Sequence, residues 1–233
     1  MIEERILITG VSGFVGYHLL NFLCGNKENK NIIVCGIDIK TPEFSCKEFE
    51  EKLSLKCYKV NLLHSDEVEQ IFDRFVPNYI VHLASYSSVA YSWKNPRESF
   101  ANNTNIFLNL ITTSMKYNKD CRILSVGSSE EYGIVSKEEL PLLETAKLNP
   151  VSPYAVARVS QEMLSKVFTV SYGADVVLTR SFNHIGPYQD KRFAIPSFIE
   201  RMLEIKRKGS KKGIIQTGDL TIIRDFVDVR DVV

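Results

Sequence analysis

The sequence of 233 residues has almost no net charge and no long hydrophobic run. A formal net charge of +1 gives no general attraction to nucleic acid or to an anionic membrane surface, so we expect neither as a partner. No apolar stretch approaches the length of a membrane-spanning helix, and the N-terminus has no signal-peptide pattern. These absences predict a globular cytoplasmic protein.

Cysteine and histidine are also sparse, with five and four residues. An odd number of cysteines without a CxxC pair is typical of reduced cytosolic thiols and not of a disulfide framework. The histidines are scattered along the chain and lack the spacing of metal ligands, so we expect no metal site.

A turn with three glycines lies near the N-terminus. Residues 5–9 predict a strand, and apolar residues at helical spacing predict a helix soon after Gly16. Gly10, Gly13 and Gly16 are spaced as GxxGxxG, which differs from the GxGxxG of the standard dinucleotide fingerprint. Such a turn favours pyrophosphate binding, because glycines permit close approach and the helix N-terminus offers free N–H groups. The alternative is an ordinary tight turn.

An acidic residue ends the next apolar run. Residues 32–37 predict a buried strand, and Asp38 follows it about 20 residues beyond Gly16. At that offset an acid accepts hydrogen bonds from an adenosine ribose. A carboxylate there repels a 2′-phosphate and favours NAD over NADP, although Lys40 nearby weakens this preference. The alternative is a solvated acid at a strand end.

Strands and helices alternate along most of the chain. Further strands are predicted at 56–60, 79–85, 122–126 and 175–180, and helices at 66–75, 96–117 and 154–172. The segment 41–56, with Phe44, Phe49 and Leu53, predicts a surface helix or loop. The alternation predicts an α/β fold with a doubly wound parallel sheet, as in a Rossmann fold.

The pattern changes after Arg180. Residues 181–196 are irregular, 197–208 predict a helix and 213–217 predict a strand. We therefore expect a first domain at 1–180 and a smaller lobe at 181–233.

Small and polar residues follow two of the predicted strands. Leu83, Ala84 and Ser85 end the strand at 79–85, where small side chains let a ligand approach the carboxyl edge of a parallel sheet. His82 in the same strand is expected to be a core histidine and not a catalytic one.

Three side chains form a candidate catalytic group. Ser128 follows a predicted strand, while Tyr154 and Arg158 are four residues apart and share one face of a helix. A phenol beside a nicotinamide can exchange a proton with a substrate oxygen while hydride moves at carbon. A neighbouring cation favours the ionised form of a phenol, which otherwise titrates near ~10. The alternative is a surface pair on an amphipathic helix.

The chain resembles the NAD-dependent epimerase/dehydratase family of extended short-chain dehydrogenases/reductases, whose substrates are sugar nucleotides. The matching segments follow the family's order and cover essentially the whole chain: TGVSGFVG, GIDIK, HLAS, NPRESFANNTNIFLNLI, GSSEEYG, SPYAVAR, RSFNHIGP and RDFVDVRDVV. Within the family, GSSEEYG, FNHIGP and RDFVDVRDVV are most similar to the segments of enzymes that reduce a GDP-linked 4-keto-6-deoxy sugar, followed by GDP-mannose 4,6-dehydratases.

The resemblance implies a role for individual residues. The residues implied in binding NAD or NADP are Gly10, Gly13, Phe14, Val15, Gly16, Asp38, Asn61, Leu62, Leu83, Ala84, Ser85, Asn103, Tyr154 and Arg158. The implied catalytic residues are Ser128, Tyr154, Arg158 and Glu130, of which Glu130 matches the base of dehydratases. The residues implied in substrate binding are Ser128, Asn183 and Arg224.

The chain departs from the family pattern at two places. Arg158 stands where the family has the lysine of YxxxK, and its planar fork is not equivalent to a compact ammonium. Since Ser128 and Tyr154 are retained, we expect a working but altered site. The chain also stops at Val233, inside the last motif. We therefore expect a truncated substrate lobe, in which 224–233 return to the dinucleotide-binding domain.

The resemblance implies an NAD(P)-dependent enzyme that reduces a 4-keto-6-deoxy sugar of a GDP-linked nucleotide, with NAD favoured. The alternatives are a GDP-mannose 4,6-dehydratase and a nucleotide-sugar epimerase. An alternative of another class is a non-catalytic dinucleotide-binding subunit or sensor. The resemblance also implies a homodimer formed through the helix that carries Tyr154, where the apolar Val156, Val159 and Met163 could equally belong to the core.

Overall fold

A computed structural model describes residues 3–25, 31–42, 46–209 and 212–233. The predicted surface segment at 41–56 contains a helix, while its Phe44 lies outside the described residues.

Eight strands and eight α-helices are found in the described residues. The strands are β1 (Glu4–Thr9), β2 (Ile32–Asp38), β3 (Lys56–Lys59), β4 (Tyr79–His82), β5 (Arg122–Val126), β6 (Asp175–Thr179), β7 (Asn183–Ile185) and β8 (Phe226–Asp228). The helices are α1 (Phe14–Gly25), α2 (Cys46–Leu53), α3 (Ser65–Arg74), α4 (Val89–Lys94), α5 (Pro96–Tyr117), α6 (Pro153–Tyr172), α7 (Ala194–Arg207) and α8 (Val229–Val232). All of these helices are too short or too polar to cross a membrane.

Six strands form one parallel sheet in the order β3-β2-β1-β4-β5-β6. This order confirms the predicted doubly wound sheet of a Rossmann fold. The strand order reverses between β1 and β4, and such a reversal opens a crevice at the carboxyl ends of the strands. The fold therefore presents a ligand crevice beside the end of β1.

The sheet is covered on both faces. Leu7 of β1 belongs to one core cluster with Phe72 of α3 and Phe107 of α5. The next residue, Ile8, belongs to a second cluster with Leu20 of α1. Successive side chains of a strand point to opposite faces, so β1 contributes to both cores and is buried from either side.

The chain divides into two compact units after Ser181. The first unit contains the six-stranded sheet, and the second, Phe182–Val233, contains β7, α7, β8 and α8. Since β8 pairs with β7, the residues 224–233 belong to the second unit by their contacts. The functional boundaries at 1–180, 181–233 and 224–233 stay predictions.

The predicted strand at 213–217 is wrong. These residues are described and form no strand, and Ile214 is 95% exposed. A strand needs a partner for its hydrogen bonds, and none of the described segments pairs with this one. The two-stranded sheet instead joins β7 and β8, of which β7 lies within the predicted irregular segment.

Candidate active site

The glycine turn lies between β1 and α1, at the sheet crevice. Gly10 has a φ of +70°, and a Cβ atom there would lie 2.7 Å from the backbone nitrogen of Ala84. A Cβ atom on Gly16 would collide with the Val11 carbonyl oxygen. The Gly13 amide donates to the Gly10 carbonyl at 3.0 Å, which closes the turn before α1 begins at Phe14. The first turn of a helix has N–H groups without intrahelical acceptors, so this turn can hold a phosphate group.

The side chain of Asp38 is fixed at the carboxyl end of β2. One carboxylate oxygen accepts the backbone N–H of Ser12 at 3.0 Å, and the other accepts the backbone N–H of Lys40 at 3.1 Å. Each oxygen keeps a lone pair for a ligand hydroxyl. Asp38 therefore faces the glycine turn in a fixed orientation that suits a ribose.

A cavity of about 580 Å³ lies beside the ends of β2 and β3, and its lining includes Ile39, Tyr58 and Asn61. Asn61 is held by its own turn, in which its Oδ1 accepts the Leu63 N–H at 3.1 Å. Leu62, the other residue implied beside the adenine, is buried. The cavity adjoins Ile39, which follows Asp38, and its occupation by an adenine stays a prediction.

Asn103 of α5 is buried and fully engaged by the backbone of Tyr86. Its Oδ1 accepts the Tyr86 N–H at 2.8 Å, and its Nδ2 donates to the Tyr86 carbonyl at 3.1 Å. These bonds hold the segment after β4, which contains Leu83, Ala84 and Ser85. Direct contact of Asn103 with a cofactor stays a prediction.

His82 is a core histidine, as the sequence predicts. It is 1% exposed, its Nδ1 lies 2.9 Å from Thr9 Oγ1, and its ring packs against Phe107. Burial lowers its pKa to about 3, and the positive charge of Arg158 acts in the same direction. The ring is therefore neutral, and no proton transfer is assigned to it.

Helix α6 brings Tyr154 and Arg158 to the carboxyl ends of β4 and β5. The helix begins at Pro153 and is capped by Ser152, whose Oγ accepts the Ala155 N–H at 3.1 Å. A serine followed by proline is a strong helix start, which places Tyr154 in the first turn. Tyr154 is 6% exposed and Arg158 is 5% exposed, so the alternative of a surface pair is wrong.

The guanidinium of Arg158 donates to four neighbours. Its Nε donates to Tyr154 Oη at 3.2 Å, and its Nη1 donates to the Val126 carbonyl at 3.0 Å and to Gln161 Oε1 at 2.8 Å. Its Nη2 donates to Ser85 Oγ. The arginine that replaces the family lysine is thus built into the wall of the crevice between Ser85 and Tyr154.

Ser128 lies two residues beyond β5, at the start of a 3₁₀ turn, Ser129–Tyr132, that packs against α6. Its Oγ accepts the Glu130 N–H at 3.2 Å, and its own N–H donates to Glu131 Oε1 at 2.6 Å. Ser128 and Glu131 also form a capping box, in which the side chain of each bonds to the backbone of the other and fixes the serine relative to the turn. The Ser128 hydroxyl keeps its proton free for a ligand.

Two neighbouring glutamates have different surroundings. Glu130, the predicted dehydratase base, is partly exposed, while Glu131 is completely buried. Sequence reasoning missed Glu131 and Gln161, although the S-x-x-E spacing of Ser128 and Glu131 is a capping-box signature.

Glu131 and Glu162 form a buried carboxyl pair. Burial and the Glu162 carboxylate raise the pKa of Glu131 to about 7. Glu162 accepts hydrogen bonds from Arg180 at 2.8 and 2.9 Å and from Lys166 at 2.6 Å, and these cations hold its pKa down at about 2. The pair therefore carries its proton on Glu131 below neutral pH.

The two remaining predicted substrate residues lie in the second unit. The backbone N–H and Nδ2 of Asn183 donate to the Asp225 carbonyl at 3.2 and 3.1 Å, which ties β7 to the chain before β8. Arg224 is exposed, and its Nη1 donates to the Ile223 carbonyl at 3.0 Å. Their contact with a substrate stays a prediction.

The glycine turn, the fixed acid and the Ser–Tyr–Arg group define a short-chain dehydrogenase/reductase type of site on a Rossmann fold. The profile of the GDP-mannose 4,6 dehydratase family matches residues 7–233. The chain therefore belongs to this family of extended short-chain dehydrogenases/reductases.

Two curated relatives show the range of the family. A GDP-6-deoxy-D-mannose reductase from Pseudomonas aeruginosa is 29% identical over 229 residues, which cover 98% of this chain and 68% of the reductase. A dTDP-D-glucose 4,6-dehydratase from Dictyostelium discoideum is 30% identical over 243 residues, which cover 99% of this chain and 55% of the dehydratase.

Two solved structures are similar over the whole chain. RMD from Pseudomonas aeruginosa complexed with NADPH has a TM-score of 0.79 at 28% identity, covering 99% of this chain and 69% of that one. A UDP-N-acetylglucosamine 4-epimerase from Methanobrevibacter ruminantium M1, in complex with UDP-N-acetylmuramic acid, has a TM-score of 0.80 at 31% identity, covering 100% and 71%.

Proposed function

We propose that the protein is an NAD(P)-dependent enzyme that modifies the sugar of a nucleotide sugar. The observation that carries the proposal is the buried hydrogen bond of 3.2 Å between Arg158 and Tyr154, at the crevice that also holds Ser128. The glycine turn supports a dinucleotide, because Gly10 packs against the Ala84 backbone without room for a Cβ atom and the turn leads directly into the N-terminus of α1. The similar solved proteins were crystallised with NADPH or with a UDP-sugar.

Reduction of a GDP-linked 4-keto-6-deoxy sugar is the reaction that we favour. When bound, the reduced nicotinamide supplies a hydride to carbon 4 of the sugar. Tyr154 gives its phenolic proton to the carbonyl oxygen, and the hydroxyl of Ser128 donates a hydrogen bond to the same oxygen. The positive charge of Arg158 favours the negative charge that develops there. The 29% identity to a GDP-6-deoxy-D-mannose reductase supports this choice.

A 4,6-dehydratase or epimerase is the second candidate, and Glu130 favours the dehydratase. Its side chain is partly exposed and makes no hydrogen bond or ion pair with the described residues, so its carboxylate is available as a base. A dehydratase needs such a base to remove the proton beside the 4-keto group.

Two incubations separate the reductase from the dehydratase. The protein is incubated with GDP-linked 4-keto-6-deoxymannose and NADH or NADPH, and separately with GDP-mannose and NAD or NADP. The masses of the products are measured by mass spectrometry. Consumption of reduced cofactor with the keto sugar supports the reductase, and loss of water from GDP-mannose supports the dehydratase. Cofactor binding without turnover of either sugar would favour the non-catalytic binding protein. Tyr154→Phe is the control for both reactions.

NAD is the cofactor that Asp38 favours. Its carboxylate is fixed by two backbone N–H groups and cannot turn away from a 2′-phosphate without losing them. We expect tighter binding of NADH than of NADPH, and a smaller difference in Asp38→Ala, measured by fluorescence titration. Equal affinities in the unmodified protein would contradict this assignment.

A homodimer through α6 completes the proposal. Val156, Met163, Val167 and Val170 are 39–86% exposed and share one helical face, while Val159 is half-buried. The same side of the first unit has an open apolar cavity of about 610 Å³, lined by Trp93, Phe100 and Val156 among others. An exposed apolar surface of this kind is typical of a protein interface.

A further inference from the structure

Arg158 is a buried cation whose hydrogen-bonding partners are all neutral. They are a phenol, a backbone carbonyl, a serine hydroxyl and the side-chain amide of Gln161. None of the ion pairs formed by the described residues includes Arg158. Glu131 is close enough to feel its charge, but no ion pair or hydrogen bond among the described residues joins its carboxyl to Arg158. A buried charge without a counter-ion is costly, so its retention needs a reason.

Gln161 fixes the plane of this guanidinium. It lies one helical turn beyond Arg158 and is 1% exposed. Its Oε1 accepts from Arg158 Nη1 at 2.8 Å, while its Nε2 donates to Ser125 Oγ at 2.8 Å and to the Val126 carbonyl at 3.3 Å. The reverse orientation of the amide would set its NH₂ group against the Arg158 donors, so only one orientation satisfies both ends.

The planar shape of the Arg158 guanidinium explains why its hydrogen bond to Gln161 matters for Tyr154. A guanidinium is planar, and fixing Nη1 against Gln161 and Val126 also fixes the direction of Nε. Nε is the donor that reaches Tyr154 Oη. Loss of the Gln161 amide would let the fork rotate about its remaining contacts and weaken that bond.

We infer that Gln161 is a positioning residue that holds Arg158 through a neutral amide, so that the guanidinium keeps its full charge beside Tyr154 and the reacting oxygen. This inference rests on the proposed function, because it gives the uncompensated charge a catalytic use. A carboxylate at position 161 would hold the same fork but would neutralise it. The amide of Gln161 therefore orients the Arg158 guanidinium without neutralising its charge.

Two substitutions test these roles separately. Gln161→Glu keeps the length and the acceptor for Nη1, adds a negative charge and loses the Nε2 donor to Ser125 and Val126. Gln161→Met keeps the length but removes all three hydrogen bonds. For each variant, kcat, the KM for NADH with GDP-linked 4-keto-6-deoxymannose, and Tm are measured. We expect Gln161→Glu to have a Tm above that of Gln161→Met, an unchanged KM for NADH and a kcat lowered about tenfold or more. Gln161→Met is expected to lower both Tm and kcat.

A merely structural role gives another pattern. If Gln161 only supports the fold, kcat follows Tm in both variants, and a kcat of Gln161→Glu within about twofold of the unmodified protein would overturn the inference.

The inference can also be tested without turnover. If the unmodified protein is inactive on both sugar nucleotides, the proposed function fails, and the Tm values still decide whether Gln161 holds an uncompensated charge. We expect Gln161→Glu to lower Tm less with Arg158 present than when it is combined with Arg158→Met, because the added charge then loses its counter-ion. The same Tm change in both backgrounds would overturn the inference.

Discussion

At the scale of single residues, the site combines two unusual charges. Arg158 is a buried cation held by neutral groups, and Glu131 is a buried acid whose Oε2 atom has no hydrogen-bond donor among the described residues. Arg158 belongs to the candidate catalytic group and donates to Tyr154, and Glu131 adjoins the group through the backbone of Ser128. Substitutions at both residues therefore test the electrostatics of the site.

The first residue-scale prediction concerns Glu131→Gln. The amide can still accept the Ser128 N–H and can donate where Glu131 now needs a proton. The pKa of Glu131 is raised from 4.5 to about 7 in the fold, so the stability that its protonated form contributes is present below about 4.5 and is lost as pH rises through about 7. We expect the variant to be more stable than the unmodified protein by about 1–3 kcal/mol at pH 8, with little difference at pH 5.

Urea unfolding at the two pH values measures this difference, and Glu130→Gln at the partly exposed neighbour is the matched control. A stability difference that is the same at pH 5 and pH 8 would show that the carboxyl of Glu131 does not titrate in this range.

The second residue-scale prediction concerns Arg158→Lys. An ammonium keeps the positive charge that the family lysine provides, but it cannot reach all four neighbours of the fork. We expect both proteins to turn over, with a loss of about 1–2 kcal/mol of stability in the variant because buried acceptors lose their donor. Steady-state kinetics and urea unfolding measure the two effects. The absence of turnover in both proteins, with substrate bound, would contradict a working but altered site.

The sequence was sufficient for some residues of the site and not for others. Helical spacing and strand ends made Ser128, Tyr154 and Arg158 candidates, and the fold shows that Tyr154 and Arg158 are buried. Their roles come from the resemblance to the family and stay predictions. Gln161 and Glu162 read as ordinary polar residues of an amphipathic helix, and only the fold shows that they are buried. Burial of a polar side chain depends on neighbours that are distant in sequence, which local patterns do not contain.

At the scale of elements, the turn between β1 and α1 depends on close packing of its backbone. Gly16 has no room for a Cβ atom because the Val11 carbonyl occupies that place, whereas a Cβ atom on Gly25 at the end of α1 would meet no atom within 4 Å. The packing around α1 therefore requires glycine at position 16 but leaves room for a side chain at position 25.

The element-scale prediction compares Gly16→Ala with Gly25→Ala. We expect Gly16→Ala to lower the free energy of unfolding by about 1–3 kcal/mol and to weaken NADH binding, because the turn must shift to admit the methyl group. Gly25→Ala is expected to change stability by less than about 1 kcal/mol and to leave NADH binding unchanged. Urea unfolding and fluorescence titration measure both effects, and an equal response of the two variants would argue against a packed turn.

Regular alternation made the large sheet predictable, and the same reasoning failed for the small one. Five of the six strands are followed by a helix before the next strand begins, and β6 is followed directly by β7. In contrast, β7 and β8 have three residues each and pair across a long stretch of chain. Three residues are too few to show a period, so only the pairing identifies them.

At the scale of the whole molecule, the exposed face of α6 predicts self-association. Charges at Met163 and Val167 would be buried in a dimer that uses this face, at a high cost in desolvation. We expect the unmodified protein to be a dimer by light scattering, and Met163→Glu combined with Val167→Glu to be a monomer with an unchanged circular dichroism spectrum. Ile134→Glu, at a more exposed apolar residue outside α6, is the control and is expected to stay a dimer. Equal masses for all three proteins would contradict the proposed interface.

The strand order has a consequence for synthesis on the ribosome. β1 pairs with β2 on one side and with β4 on the other. The ribosome synthesises β4 (Tyr79–His82) only after β2 and β3. The nascent chain therefore keeps one edge of its central strand open while three strand–helix pairs emerge, and an open edge is prone to wrong pairing. Because Gly10 packs against Ala84, the phosphate-binding turn reaches its final form only after that residue has left the exit tunnel. We therefore expect the nascent chain to bind cofactor only after β4 has paired with β1.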